Sequence, residues 1–172
     1  LYRMSYKAFI DDRYDKRTAD YRYAYIASQA DFQKALINDS KDVNNYLFLG
    51  MVYLLRSEYN ESYNCFNNAL NIDSRNLFAY FGRAMSSDFN RLYERDRKRN
   101  NEIALRDYSF VIQNLDLNAP ASEYYDFNYR ITVEAREVFE FRAKIYIKMG
   151  KYLEAIADLD QAVKLAPGDD RL

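Results

Sequence analysis

The chain has 172 residues, with 25 Lys and Arg against 26 Asp and Glu and no histidine. A net charge of −1 supplies no global field toward nucleic acid or an anionic membrane, and the absence of histidine removes the usual general base, the Ser-His and Cys-His pairs and the His-based zinc motifs. The single cysteine, Cys65, excludes an internal disulfide and a cysteine-built zinc site, while four glycines and two prolines leave long uninterrupted amphipathic stretches that predict an all-helical chain.

Eight helices are expected. The first covers residues 2–12 and is followed by an insertion around "DDRYDKRTAD". The next three span 18–38, 43–56 and 59–72. The third holds the longest uncharged apolar run, "YLFLGMVYLL" from Tyr46 to Leu55, well short of the ~20 residues a spanning helix needs. The chain as given reads as soluble. No signal-like leader precedes this run, but the sequence starts at Leu1 without a methionine. The compartment is therefore open: cytoplasmic, or periplasmic or secreted if a signal peptide was removed. Helices at 77–97 and 100–115 bracket the charged stretch "NRLYERDRKRNNE". The last two are expected at 123–149 and 152–166.

The charged stretch carries Arg91, Arg95, Arg97, Lys98, Arg99 and, beyond it, Arg106 against Glu94, Asp96 and Glu102. Mixed signs at a helix end read first as a solvated hairpin tip. A nucleic-acid contact is the sharper alternative, weakened by the interrupting acids and by an aromatic interleaving limited to Tyr93; an acidic protein partner is the third. Cys65 has no basic neighbour within a helical turn and reads as a small buried apolar residue. No pair of carboxylates stands out by spacing or setting, so no catalytic residue, cofactor or metal site is assigned.

Self-similarity organises the rest. Tyr46, Leu49, Gly50, Tyr53, Ser62, Phe66, Ala69 and Ser74 fall at the same eight offsets as Phe139, Arg142, Ala143, Tyr146, Ala155, Leu159, Ala162 and Pro167. Tyr46 to Tyr80 and Ser28 to Ser62 each span one 34-residue period. The pattern resembles the tetratricopeptide repeat, a helix-turn-helix unit that stacks on copies of itself. The resemblance implies an all-α superhelix of about four helical hairpins forming a single domain over 1–172, with units at approximately 1–42, 43–76, 77–118 and 136–169 and an insertion at 119–135. In the third unit Tyr80, Arg83 and Ala84 open on time, but Ala104, Tyr108 and Val111 arrive eight residues late, so that hairpin is lengthened.

The resemblance further implies that the first helix of each unit lines a concave binding groove. The groove residues are then Leu47, Phe48, Met51, Leu54 and Leu55, followed by Phe78, Phe81, Met85 and Phe89, with Glu137, Glu140, Phe141, Lys144 and Lys148 at a charged end. Co-chaperone members grip acidic chaperone tails with Lys and Asn in this groove; here Leu47 and Met51 stand in those places, so that clamp is missing. The expected function is a non-catalytic protein-protein interaction scaffold that takes a peptide or helix in a largely apolar groove, its partner a protein of unknown identity. Alternatively the chain fills the groove itself with residues 119–138. A nucleic-acid-binding or enzyme-regulating module using the tip at 91–106 is the competing class. The ending "LAPGDDRL" leaves Leu153, Ile156, Ala157 and Val163 with a partly naked flank, which predicts a continuing natural chain or self-association through the C-terminal repeat. Finally, Arg83 with Asp107 and Arg142 with Asp158 occupy matching places, held by Leu49 and Cys65 in the unit at 43–76. Each pair is expected to form a largely buried ion pair within its unit.

Overall fold

In the computed structural model of this protein the described residues are 3–5, 19–90, 96–115, 122–126 and 129–165. They form strand β1 (Arg3–Ser5), helices α1 (Ala19–Asn38), α2 (Val43–Leu55), α3 (Tyr59–Ile72), α4 (Leu77–Phe89) and α5 (Arg97–Asn114), strands β2 (Ser122–Asp126) and β3 (Tyr129–Val133), and helices α6 (Ala135–Lys148) and α7 (Tyr152–Leu165). Helices α2 and α3, α4 and α5, and α6 and α7 pair as hairpins. The hairpins stack through α3 on α4 and α5 on α6, and α1 packs on α2.

Local chemistry sets the helix ends. The Asp42 carboxylate accepts from the Asn44 backbone amide at the start of α2, and the Asn76 side chain accepts from Ala79 at the start of α4, so each caps an otherwise unsatisfied N–H. The turns of the first and last hairpins are copies: Ser57 (φ 62°) and Gly150 (φ 72°) both sit in the left-handed region. In each the following amide reaches back to a tyrosine carbonyl, Glu58 to Tyr53 and Lys151 to Tyr146, at 2.9 Å.

The core runs through all three hairpins, from Leu47, Met51 and Leu54 through Phe66, Phe78, Phe81 and Met85 to Tyr108, Val138 and Ile145. Phe66, with no exposed surface, lies between two glycines. A Cβ built on Gly82 would come 2.3 Å from its Cζ, and one on Gly50 would come 3.0 Å from it. These glycines therefore let the backbones of α2 and α4 approach one aromatic ring from two sides.

Three expected elements differ. Residues 3–5 of the expected first helix are a strand, paired parallel with β3 (Arg3↔Arg130 to Ser5↔Thr132); the rest of 2–12 lies outside the described residues. The helix expected from 123 begins at Ala135. Ahead of it β2 and β3 form an antiparallel pair, Ser122↔Val133 to Asp126↔Tyr129, giving a three-stranded sheet ordered β1-β3-β2. The run "SEYYD" and "YRITV" is rich in the aromatic and β-branched residues that favour strands, and that preference prevails. The helix expected to 97 ends at Phe89, because the Asn90 side chain donates to Asn60 (2.8 Å) and its carbonyl accepts from Asn100 (3.0 Å). Residues 91–95 of the charged tip lie outside the described set.

Candidate functional site

The expected groove residues come together on α2 and α4 and are covered. Leu47, Met51, Leu54, Phe78, Phe81 and Met85 expose 8, 6, 2, 3, 1 and 0% of their surface, while Phe48, Leu55 and Phe89 are half-buried at the margin. Phe48 stacks on Phe32 of α1 with centroids 5.4 Å apart, and β3 lies against α4. From α6, Phe141 packs edge-on to Phe81 and Phe89 (5.8 and 6.3 Å) and stacks on Tyr108 (5.9 Å). The charged end is more open. Lys144 is exposed, with its Nζ 4.9 Å above the Phe141 ring, Glu140 is bonded by Arg136 at 2.7 Å, and Lys148 pairs with the buried Asp88. Glu137 is buried.

Both arginine-aspartate combinations meet. Arg83 donates through Nε and Nη2 to the two oxygens of Asp107 at 2.7 and 3.0 Å, and Arg142 does the same to Asp158 at 2.8 and 2.6 Å. Each guanidinium also reaches the hairpin before its own, Arg83 to Asn67 at 2.9 Å and Arg142 to Ser109 at 3.1 Å. Sequence reading missed Asn67 and Ser109. Their signal was present, since Asn67 lies two residues after Cys65 and Ser109 two after Asp107, the same place in consecutive units. Tyr80 (5.2 Å) and Tyr63 (6.0 Å) flank Arg83, and Phe139 and Tyr146 (both 5.7 Å) flank Arg142, so both cations rest on aromatic faces. Burial alone would lower the Arg83 pKa. The hydrogen bonds and charge of Asp107 outweigh it and hold the guanidinium above its ordinary value, and Asp158 does the same for Arg142. Arg106 adds a third donor to Asp107 at 3.0 Å.

Cys65 is buried on α3, and desolvation, helped by the charge of Glu61, pushes its thiol up to about 12. That is the opposite of an activated nucleophile. At the far end of the stack Leu153, Ile156 and Val163 on α7 are exposed by 82, 55 and 48%, together with Tyr152.

Residues 134–169, which span α6 and α7, match the family model described as Tetratricopeptide repeat. This segment is a tetratricopeptide repeat. Over most of its length the chain shares the fold of such proteins. It superposes on a crystal structure of MamA with TM-score 0.65 at 15% identity, covering 84% of this chain and 70% of that one, and on a second MamA structure with TM-score 0.66 at 16% identity, covering 95% and 74%. TTC0263, a thermophilic tetratricopeptide-repeat protein from Thermus thermophilus, gives TM-score 0.61 at 19% identity over 87% of this chain and 72% of that one. No curated protein matches the sequence. The fold is an all-α helical-repeat superhelix, with the small sheet as an addition, and no helix among the described residues is long and apolar enough to cross a membrane.

Proposed function

We propose that this protein is a non-catalytic protein-interaction scaffold, a single domain over 1–172 with units near 1–42, 43–76, 77–118 and 136–169, whose concave face receives a peptide or helix of a protein partner. The observation that carries the reading is the continuous bed on α2, α4 and α6. It passes from Leu47, Met51 and Leu54 through Phe78, Phe81 and Met85 to a charged end where Lys144 and Lys148 are open and Glu140 is half-buried, with Phe48, Leu55 and Phe89 along its margin. The bed is apolar where the chain covers it and charged where it is open. A partner therefore meets the charged end first, and reaches the apolar part by taking the place of what lies over it. The exposed face of α7 is a second surface of the same kind, which we propose as a self-association contact.

Purified protein immobilised and challenged with extract, followed by identification of what is bound, tests the first surface. A partner of the bed rebinds as a pure protein and is lost from Lys144→Glu, a change at an exposed position that spares folding. Binding indifferent to Lys144→Glu and to Phe89→Glu would remove the groove from consideration. Sedimentation of Ile156→Glu tests the second surface: wild-type chain that is monomeric at every concentration refutes it.

A further inference from the structure

The middle hairpin departs from its neighbours at one place. Ser86, Ser87 and Asp88 on α4 stand one repeat after Val52, Tyr53 and Leu54 and one repeat before Ile145, Tyr146 and Ile147. Where the other hairpins are apolar or aromatic this one is polar, yet Ser86, Ser87 and Asp88 are 0, 4 and 5% exposed. Burying polar groups is unfavourable unless they are bonded. Ser86 is bonded to Ser62 and to the Gly82 carbonyl, and Asp88 to Lys148. Ser87 has no hydrogen-bond partner among the described residues, nor does Asn101, 7% exposed on the facing helix α5.

Both unpartnered groups face open space. Ser87 lines two adjoining recesses at the base of the lengthened hairpin, of about 240 and 320 Å³, and Asn101 lines the larger. Asn90 and Asn100 border both, and Asn60 the smaller. The Asn90 amino group donates to the Asn60 side-chain oxygen, and the Asn100 amino group to the Asn90 backbone carbonyl. These bonds leave the Asn60 amino group as a donor, and the Asn90 and Asn100 side-chain oxygens as acceptors, at the edge of the cavity.

We infer that these recesses bind the main chain of an extended polypeptide segment through its peptide groups. A carboxamide presents an acceptor and a donor side by side, the complement of the N–H and C=O of a peptide unit, and the serine hydroxyl serves as either. Lys148 pairs with Asp88 in the larger recess, where Arg97 adds a further cation, and Asp96 and Arg99 both line the smaller; a response to inorganic phosphate equal to that of a peptide probe would therefore overturn the inference. A sugar would need an open aromatic face, but Tyr63, the aromatic side chain lining the smaller recess, already has Arg83 over its ring. This inference does not rest on the groove reading: Lys148 at the charged end of that bed also lines the larger recess, but Ser87 and Asn101, the positions tested, are not groove residues.

The test titrates ¹⁵N-labelled full chain with N-acetyl-triglycine amide, an uncharged probe that offers peptide groups and no side chains. The side-chain amide signals of Asn60, Asn90, Asn100 and Asn101 should shift together and saturate with a Kd on the order of millimolar. Ser87→Ala removes an unpartnered hydroxyl and should fold as well as the wild type while weakening the probe about tenfold. Asn101→Leu, at a second position, should do the same. No shift up to about 20 mM probe overturns the inference. So does an equal response to glucose, which would make the recess a general polar site, and so does unchanged affinity in both variants.

Discussion

Replacing Gly82 with alanine should destabilise the protein although alanine is the better helix former. The new Cβ would meet Phe66 Cζ, Cε1 and Cε2 at 2.3, 2.4 and 2.6 Å, so the ring must retreat by about 1 Å to reach ordinary contact. It has nowhere to go. Phe66 is fully buried, Gly50 lies close on its other side, and Phe78 stands edge-on at 6.1 Å. Overpacking of this kind costs about 1–3 kcal/mol, and more when backbone must move; the gain in helix propensity returns about 1 kcal/mol. With the ring blocked on both sides the upper part of that range, about 2–3 kcal/mol, applies, so the net loss should be about 1–2 kcal/mol, or roughly 2–8 °C in Tm for a chain of this length. At Gly50 the nearest approach is 3.0 Å, which a shift of a few tenths of an ångström relieves, so Gly50→Ala should come out within about 1 kcal/mol of wild type. Within the last hairpin Ala143 and Leu159 stand in the places of Gly50 and Phe66, so leucine accommodates a Cβ on the Gly50 side, and a shorter side chain gives the same relief on the Gly82 side. Phe66→Leu should therefore recover much of the loss in the Gly82→Ala background, giving a coupling of about 1 kcal/mol or more in a double-mutant cycle followed by urea unfolding. Gly82→Ala melting at or above wild type, or additive losses in the cycle, would refute the wedge.

Removing one member of the Arg142–Asp158 pair should cost about 3–5 kcal/mol, because a charge is left desolvated, whereas Arg142→Leu with Asp158→Cys, copying Leu49 and Cys65, should cost far less; thermal melts of the four proteins in the cycle decide it. Ser57→Gly should stabilise by about 1 kcal/mol, since Ser57 holds a left-handed conformation that glycine adopts freely, and chemical denaturation measures this. With its thiol raised to about 12, native Cys65 should resist iodoacetamide at a pH of about 8.5 and react once the chain is unfolded. Its folded pKa lies above the unfolded one, so its contribution to stability is complete below that pH and is lost as pH rises toward 12.

How much of this was legible depended on which physical signal dominated each segment. Helices α2, α3 and α7 were found to within a residue at each end, because capping residues and turn positions coincide with the repeat's own punctuation. The segment ahead of α6 differs because the helix expected from 123 takes in "EYYD" and "YRITV" from the insertion, whose tyrosines, isoleucine, threonine and valine favour strands. Propensity decided there, and sheet pairing with a strand more than a hundred residues away is invisible to any local pattern. The ion pairs were expected from co-substitution alone. Their third ligands were not, because Asn67 and Ser109 differ in type and only their shared position links them. The polar recess carries no local signal: Ser86, Ser87 and Asp88 fall inside the helix expected at 77–97, and only the fold places them beneath the surface.

Two devices set the geometry between consecutive hairpins, and they control different things. Where α3 meets α4, the Phe66 ring against Gly82 sets how near the helices lie, and the Arg83–Asn67 bond sets how they are turned about each other. Where α5 meets α6 the first device is absent and an aromatic stack of Tyr108 on Phe141 stands in its place, while Arg142–Ser109 repeats the second. An apolar contact has no direction, so by itself it fixes separation but leaves rotation soft; a bidentate guanidinium with a third bond to the neighbouring unit has a fixed plane and leaves little rotational freedom. The angle between consecutive hairpins therefore depends more on Arg83 and Arg142 than on the larger apolar core around them. Asn67→Ala and Ser109→Ala keep both ion pairs and remove only the link between hairpins. Their effect belongs to the angle of the stack rather than to the stability of either hairpin.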